Sequence, residues 1–194
     1  MVEGYAREAV AELARRMATC GASWVLGGST GLGMRGAALE RTPRDIDIYA
    51  DAEDARLIHA QLRNWATDEP EKSVTERYRS ILSHYAIAGS AVELVGEFRI
   101  SAAGSQYLTE VAQVLHPAGD RRFVAEAEVR LVPLGHELIF NWLRERLDRC
   151  ELIGAMIRRE PDRHLRLLRT LLDRNKLSAD ARRQICKFAG MPDE

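Results

Sequence analysis

The sequence predicts an α+β fold, with a small sheet and flanking helices over residues 1–132 and a helical region over 133–194. Three observations carry this expectation. Short apolar segments of strand length, such as Trp24-Val25-Leu26 and Val92–Val95, alternate with amphipathic stretches of helical period. The segment Asp45–Ala50 places Asp45 and Asp47 on one side of an extended chain and Ile46 and Ile48 on the other. Beyond Pro133, apolar residues recur three and four positions apart in successive groups.

The elements follow in order. Ala6, Val10, Leu13, Ala14 and Met17 form one face of a helix over residues 4–19 that covers the sheet. Ser23–Leu26 is the first strand. It breaks on Gly27-Gly28-Ser29, and a glycine-rich helix is expected over Thr30–Leu39. Asp45–Ala50 is the next strand, and Asp51 is the expected N-cap of a helix over Ala52–Trp65. Residues 67–75 read as a loop around Pro70. Ile81–Ile87 and Val92–Val95 read as antiparallel strands joined at Gly89-Ser90. Between Glu97 and Arg130 the pattern weakens, and Val129–Val132 reads as a closing strand. The tail reads as helices, broken at Pro161, with Ser178 capping a last one that ends near Gly190.

Composition bounds the function. With 46% apolar and 29% charged residues, the chain is globular in type. A formal net charge of −1 gives no bulk attraction for a long nucleic acid. No 18-residue apolar run and no leader-like N-terminus is present, so a cytoplasmic location is the default expectation. Cys20, Cys150 and Cys186 are widely spaced and read as free thiols. His59 reads as a structural residue of its helix.

The chemistry concentrates between Trp24 and Ala50. Asp45 and Asp47 on one strand face stand about 6–7 Å apart, where like charge is costly unless a cation or proton intervenes. Mg²⁺ is the natural cation, because it takes carboxylate oxygens together with substrate phosphates. Gly28 and Ser29, at a strand-to-helix turn, offer backbone amides and a hydroxyl to an anion. The terminal Gly-Lys-Ser or Gly-Lys-Thr of a P-loop is absent. Arg41 and Arg44 stand before the aspartate strand, either to reach a phosphate or to neutralise the aspartates. Glu93, the one acidic residue of Ala91–Val95, is placed to join Asp45 and Asp47 from a neighbouring strand.

In this order, Leu26-Gly27-Gly28-Ser29, then Asp45-Ile46-Asp47-Ile48, then Glu93, the chain resembles the polymerase-beta-like nucleotidyltransferases. The likeness is strongest to small bacterial members that modify antibiotics or act in toxin–antitoxin pairs. It covers residues 23–98 well and the helical tail from Pro133 more loosely. It implies a mixed sheet of the nucleotidyltransferase type, a catalytic domain over 1–132 and a helical region over 133–194. It also implies Asp45, Asp47 and Glu93 as catalytic and metal-holding residues, with Mg²⁺ as cofactor. An NTP, ATP foremost, is the implied substrate, and its NMP moves to a hydroxyl of a small molecule, protein or RNA. Arg77 and Arg79 match positions where relatives touch phosphates, and Arg159–Asp162 resembles an Arg-x-x-Asp near the C-terminal helices. The chain departs from the pattern at Asn141-Trp142, in a helix where relatives commonly carry a lysine. Two rival readings follow. One is a nucleotidyltransferase fold that binds nucleotide or a partner without turnover; the other is an interaction module, with a homodimer among its forms.

Overall fold

A computed structural model describes residues 4–192. The chain divides into two compact units. One comprises the chain up to Val74 together with Arg79–Phe98 and Thr109–Val132; the other comprises Thr75–Tyr78, Arg99–Leu108 and the chain from Pro133 onward.

The first unit is built on a mixed sheet. Its strands are β1 (Trp24–Gly27), β2 (Asp45–Ala50), β3 (Glu71–Val74), β4 (Tyr78–Ile87), β5 (Ser90–Ala102), β7 (Asp120–Val124) and β8 (Ala127–Leu131), in the order β3-β4-β5-β2-β1-β8-β7. β1 runs antiparallel to β2 and parallel to β8, and β2 runs parallel to β5. Helix α1 (Gly4–Met17) packs on β8, β2 and β7, and α3 (Ala52–Leu62) packs on β2 and on α1. Ala9, Val10, Leu13 and Met17 of α1 and Ala55, Ile58 and Leu62 of α3 close a core with Leu26, Ile46, Ile48, Val92 and Leu94. The period of two thereby sends the isoleucines of β2 toward the helices and leaves Asp45 and Asp47 on the opposite face.

Three local expectations are corrected. The glycine-rich helix α2 spans only Gly28–Met34, because the chain turns at Gly36 with φ of +80°. The expected loop 67–75 contains β3, paired with β4 from Glu71↔Leu82 to Val74↔Arg79. Asp51 does sit at the N-cap position of α3 but makes no side-chain cap there. Its carboxylate accepts instead from the backbone N–H groups of Val111 and Ala112, both at 2.9 Å. Those amides open a single π-helical turn, Val111–Leu115, which leads into α4 (His116–Ala118).

In the second unit, β6 (Ser105–Leu108) pairs antiparallel with the Arg99–Ala102 end of β5. Four helices follow: α5 (Leu134–Leu143), α6 (Leu147–Arg159), α7 (Pro161–Arg174) and α8 (Ala179–Ala189). α6 and α8 cross at Gly154, where an added Cβ would stand 2.4 Å from the Phe188 carbonyl oxygen. Ser178 caps α8 by accepting from Ala181 N–H at 3.2 Å, and Gly190 ends it in the left-handed conformation, both as the sequence predicts. Among the described residues no helix is long and apolar enough to cross a membrane. The three cysteines are unbridged; Cys150 is buried, and Cys20 and Cys186 are half-buried.

Candidate active site

β1 ends at Gly27, and the chain enters α2 through Gly28 at φ of +61°. A Cβ at Gly28 would lie 1.9 Å from Asp47 Oδ2 and 2.9 Å from its Cγ. The aspartate carboxylate therefore occupies the space that any other side chain would need. Two residues on, the buried Thr30 hydroxyl donates to the Asp45 carbonyl at 2.8 Å. The turn is thus seated against both acidic positions of β2. Ser29 is half-buried beside it.

Asp47 is in register with Glu93 of β5, and Asp45 with Ala91. Register partners in adjacent strands present their side chains to the same face about 4.8 Å apart. Asp45, Asp47 and Glu93 therefore share one face, with Asp45 exposed and the other two half-buried. Among the described residues, no group of three or more His, Cys, Asp and Glu side chains forms a ready metal cluster. The arrangement is an open row of carboxylates. Mg²⁺ fits such a row, because it is ordinarily held by one or two carboxylates plus substrate phosphates instead of an all-protein cage. The hard oxygens of Asp45 and Asp47, on one face of β2, meet that requirement.

A histidine completes the row. His84 of β4 places Nε2 3.5 Å from Glu93 Oε2 and Nδ1 2.5 Å from Asp68 Oδ2. Asp68 Oδ1 accepts from the His84 backbone N–H at 2.7 Å, and the His84 carbonyl accepts from Thr67 N–H at 2.9 Å. The hydrogen bond to Asp68, with the charge of Glu93 adding to it, raises the His84 pKa above its ordinary value. Burial acts to raise the Asp68 carboxyl, but the hydrogen bonds from the His84 backbone and ring outweigh it and hold that group low.

The predicted basic residues fall elsewhere. Arg44 is exposed immediately before β2. Arg77 belongs to the second unit, where its guanidinium lies 3.5 Å from Glu145 and its carbonyl accepts from Ser101 N–H. Arg79 shares strand parity with Ile81, Ser83, Tyr85 and Ile87; Tyr85 and Ile87 are buried toward the helices, so Arg79 belongs to the face opposite His84. In the second unit, Asn141 is buried and bonds along α5 to the Glu137 carbonyl at 2.8 Å. Arg159 ends α6, and Asp162 stands in the first turn of α7.

A candidate nucleotidyltransferase from Thermotoga maritima has a similar structure, with a TM-score of 0.63 at 21% identity over 82% of this chain and 97% of that one. The fold is that of a nucleotidyltransferase. ANT(2″)-Ia in complex with adenylyl-2″-tobramycin matches at a TM-score of 0.48 and 13% identity, over 85% of this chain and 95% of its own. The lincosamide antibiotic adenylyltransferase LnuA, bound to lincomycin, matches at 0.41 and 14%, over 68% and 80%. No protein-family model matches the sequence, and no curated protein does.

Within this nucleotidyltransferase fold, sequence reasoning missed Thr30, Asp68 and His84. The sequence reading puts the β4–β5 turn at Gly89-Ser90, a register that sets Ala86 across from Glu93, and the structure moves that turn by one residue. Residues Ala88 and Gly89, both at positive φ, make a two-residue turn between β4 and β5. Counting back from such a turn places His84 directly across from Glu93. Asp68 carried no comparable signal, because its partner lies 16 residues away, beyond β3 and within β4.

Proposed function

We propose that this chain is a metal-dependent nucleotidyltransferase that moves an NMP from an NTP, ATP foremost, to a hydroxyl of a small molecule, protein or RNA. The observation that supports this reading is the seating of the Asp47 carboxylate against the Cα of Gly28, with Asp45 and Glu93 on the same face. Asp45 and Asp47 are the residues that would hold Mg²⁺ with the nucleotide. When bound, the ion neutralises phosphate charge and favours loss of pyrophosphate. The chain supplies the remainder. The Gly28-Ser29 turn orients the phosphates through its amides and hydroxyl. Glu93 accepts the proton of the acceptor hydroxyl as its oxygen bonds to the α-phosphorus and the bond to pyrophosphate breaks. The carboxylate row also favours an acceptor without anionic groups near its hydroxyl.

The test is incubation with each labelled NTP and Mg²⁺ against a panel of aminoglycosides, lincosamides, tRNA and proteins, with Asp47→Asn as control. Labelled product that falls at least about 10²-fold in the variant is expected. Equal labelling by the variant would overturn the assignment. The reading without turnover draws on Asn141, which is buried and bonded within α5 and leaves no cation at that position. Mg²⁺-dependent NTP binding without product from any acceptor in the panel would favour it.

A further inference from the structure

Glu93 has one ionic partner among the described residues, and that partner is itself held from behind. His84 Nε2 faces Glu93 Oε2 at 3.5 Å, while Nδ1 faces Asp68 Oδ2 at 2.5 Å. Asp68 cannot swing freely. Thr67 N–H donates to the His84 carbonyl, Asp68 Oδ1 accepts the His84 backbone N–H, and Ala66 bridges Tyr85. This closed ring forms where β3 stops pairing at Leu82, so the Asp68 side chain substitutes for a strand neighbour at the free edge of β4.

We propose that Asp68 and His84 are positioning residues for Glu93. Asp68 fixes the imidazole plane, and the Nε2–H of His84 engages one carboxylate oxygen. That contact turns the other oxygen, Oε1, toward Asp47 and the position of the acceptor hydroxyl. The inference rests on the proposed transferase reading for its catalytic consequence, but the Asp68–His84–Glu93 chain itself stands without it. A flexible glutamate on an open strand face samples several rotamers, and ordering it beforehand removes that cost from the reaction. Both ring nitrogens face carboxylate oxygens, so each is assigned as an N–H donor. Edge capping by Asp68 alone would leave Nε2 with no role, and its approach to Glu93 favours the positioning role over a purely structural one.

The experiment has two arms. In the first, ring ¹H–¹⁵N correlations of His84 are recorded in the nucleotide-free protein for wild type, Glu93→Gln and Asp68→Asn. Both substitutions are expected to shift the His84 ring nitrogens, Nε2 most with Glu93→Gln and Nδ1 most with Asp68→Asn. An unchanged Nε2 signal in Glu93→Gln overturns the proposal, whether or not the protein transfers nucleotides. In the second arm, kcat and KM for the NTP are measured for His84→Ala, His84→Gln, Glu93→Gln and the double variant His84→Ala/Glu93→Gln. His84→Ala is expected to lower kcat about 10- to 100-fold with KM changed by less than about twofold. His84→Gln, whose amide nitrogen reaches the place of Nε2, is expected to restore much of that loss. The double variant is expected to be no slower than Glu93→Gln alone. Multiplicative losses in the double variant overturn the positioning role. Absence of transfer by the wild type counts against the transferase reading, and the spectra then decide the positioning claim.

Discussion

A β-carbon at Gly28 would overlap the Asp47 carboxylate at 1.9 Å, and the same residue holds φ of +61°. Two independent constraints thus meet at one position, one steric and one conformational. Gly28→Ala is expected to lose about 1 kcal/mol or more of stability from the backbone alone. Its larger effect is displacement of Asp47, with nucleotidyl transfer falling about 10²-fold or more. Paired denaturant unfolding and transfer assays check this; a stability loss with normal transfer would show that Asp47 can move aside harmlessly. At this scale the sequence was informative about the carboxylates, because the strand period and the glycine turn constrain where Asp45, Asp47 and Glu93 point. It was silent about what touches them. Thr30 and Asp68 act through partners 15 and 16 residues away, and no periodicity reports such pairs.

Among elements, legibility followed hydrophobic contrast. The bounds of β2 were readable because its isoleucines are buried and its aspartates are not. β3 was missed because its sequence, Glu-Lys-Ser-Val, is exposed at three of four positions and lies at the edge of the sheet, leaving no apolar alternation. α2 was overextended because nothing in Arg35–Leu39 announces a stop except Gly36. The end of α2 is held by a contact the sequence does not announce. Arg35, with a side chain only 4% exposed, donates from Nη2 to Asp120 of β7 at 2.8 Å and to the Val132 carbonyl at 2.6 Å. Removing Asp120 takes an ionic partner from a buried guanidinium, and breaking a buried pair from one side is strongly destabilising. Asp120→Ala is accordingly expected to cost about 3–5 kcal/mol by denaturant unfolding. A loss under about 1 kcal/mol would mean that water reaches Arg35 readily.

At the scale of the molecule, a buried titratable group sets a pH dependence. His136 of α5 is fully buried, hydrogen-bonded through Nδ1 to the Tyr107 hydroxyl at 2.9 Å, and burial pushes its pKa down to about 3. The unfolded chain takes up this proton near pH 6.5 and the folded chain does not. The stability contribution is therefore intact above about pH 6.5 and is lost as pH falls from there toward 3. The slope from this one group approaches about 1.4 kcal/mol per pH unit. His136→Asn, which keeps an acceptor for Tyr107, is expected to flatten the acid limb of stability against pH; an unchanged limb would assign it to the carboxylates. Burial likewise raises the Cys150 thiol to about 12. Of the three thiols, Cys150 is expected to stay unmodified by a thiol reagent in the native protein and to react only on unfolding.

Asp51 makes one further consequence visible, and it concerns the order of events during folding. A helix cap closes over three residues and can form within an isolated peptide. The two bonds from Val111 and Ala112 instead enclose sixty residues of chain, so they cannot form until β2 and the segment after β6 have already met. Asp51 therefore acts late, as a latch on a structure that is nearly complete. Asp51→Ala is expected to speed unfolding and leave the refolding rate almost untouched, a signature that stopped-flow kinetics would read directly.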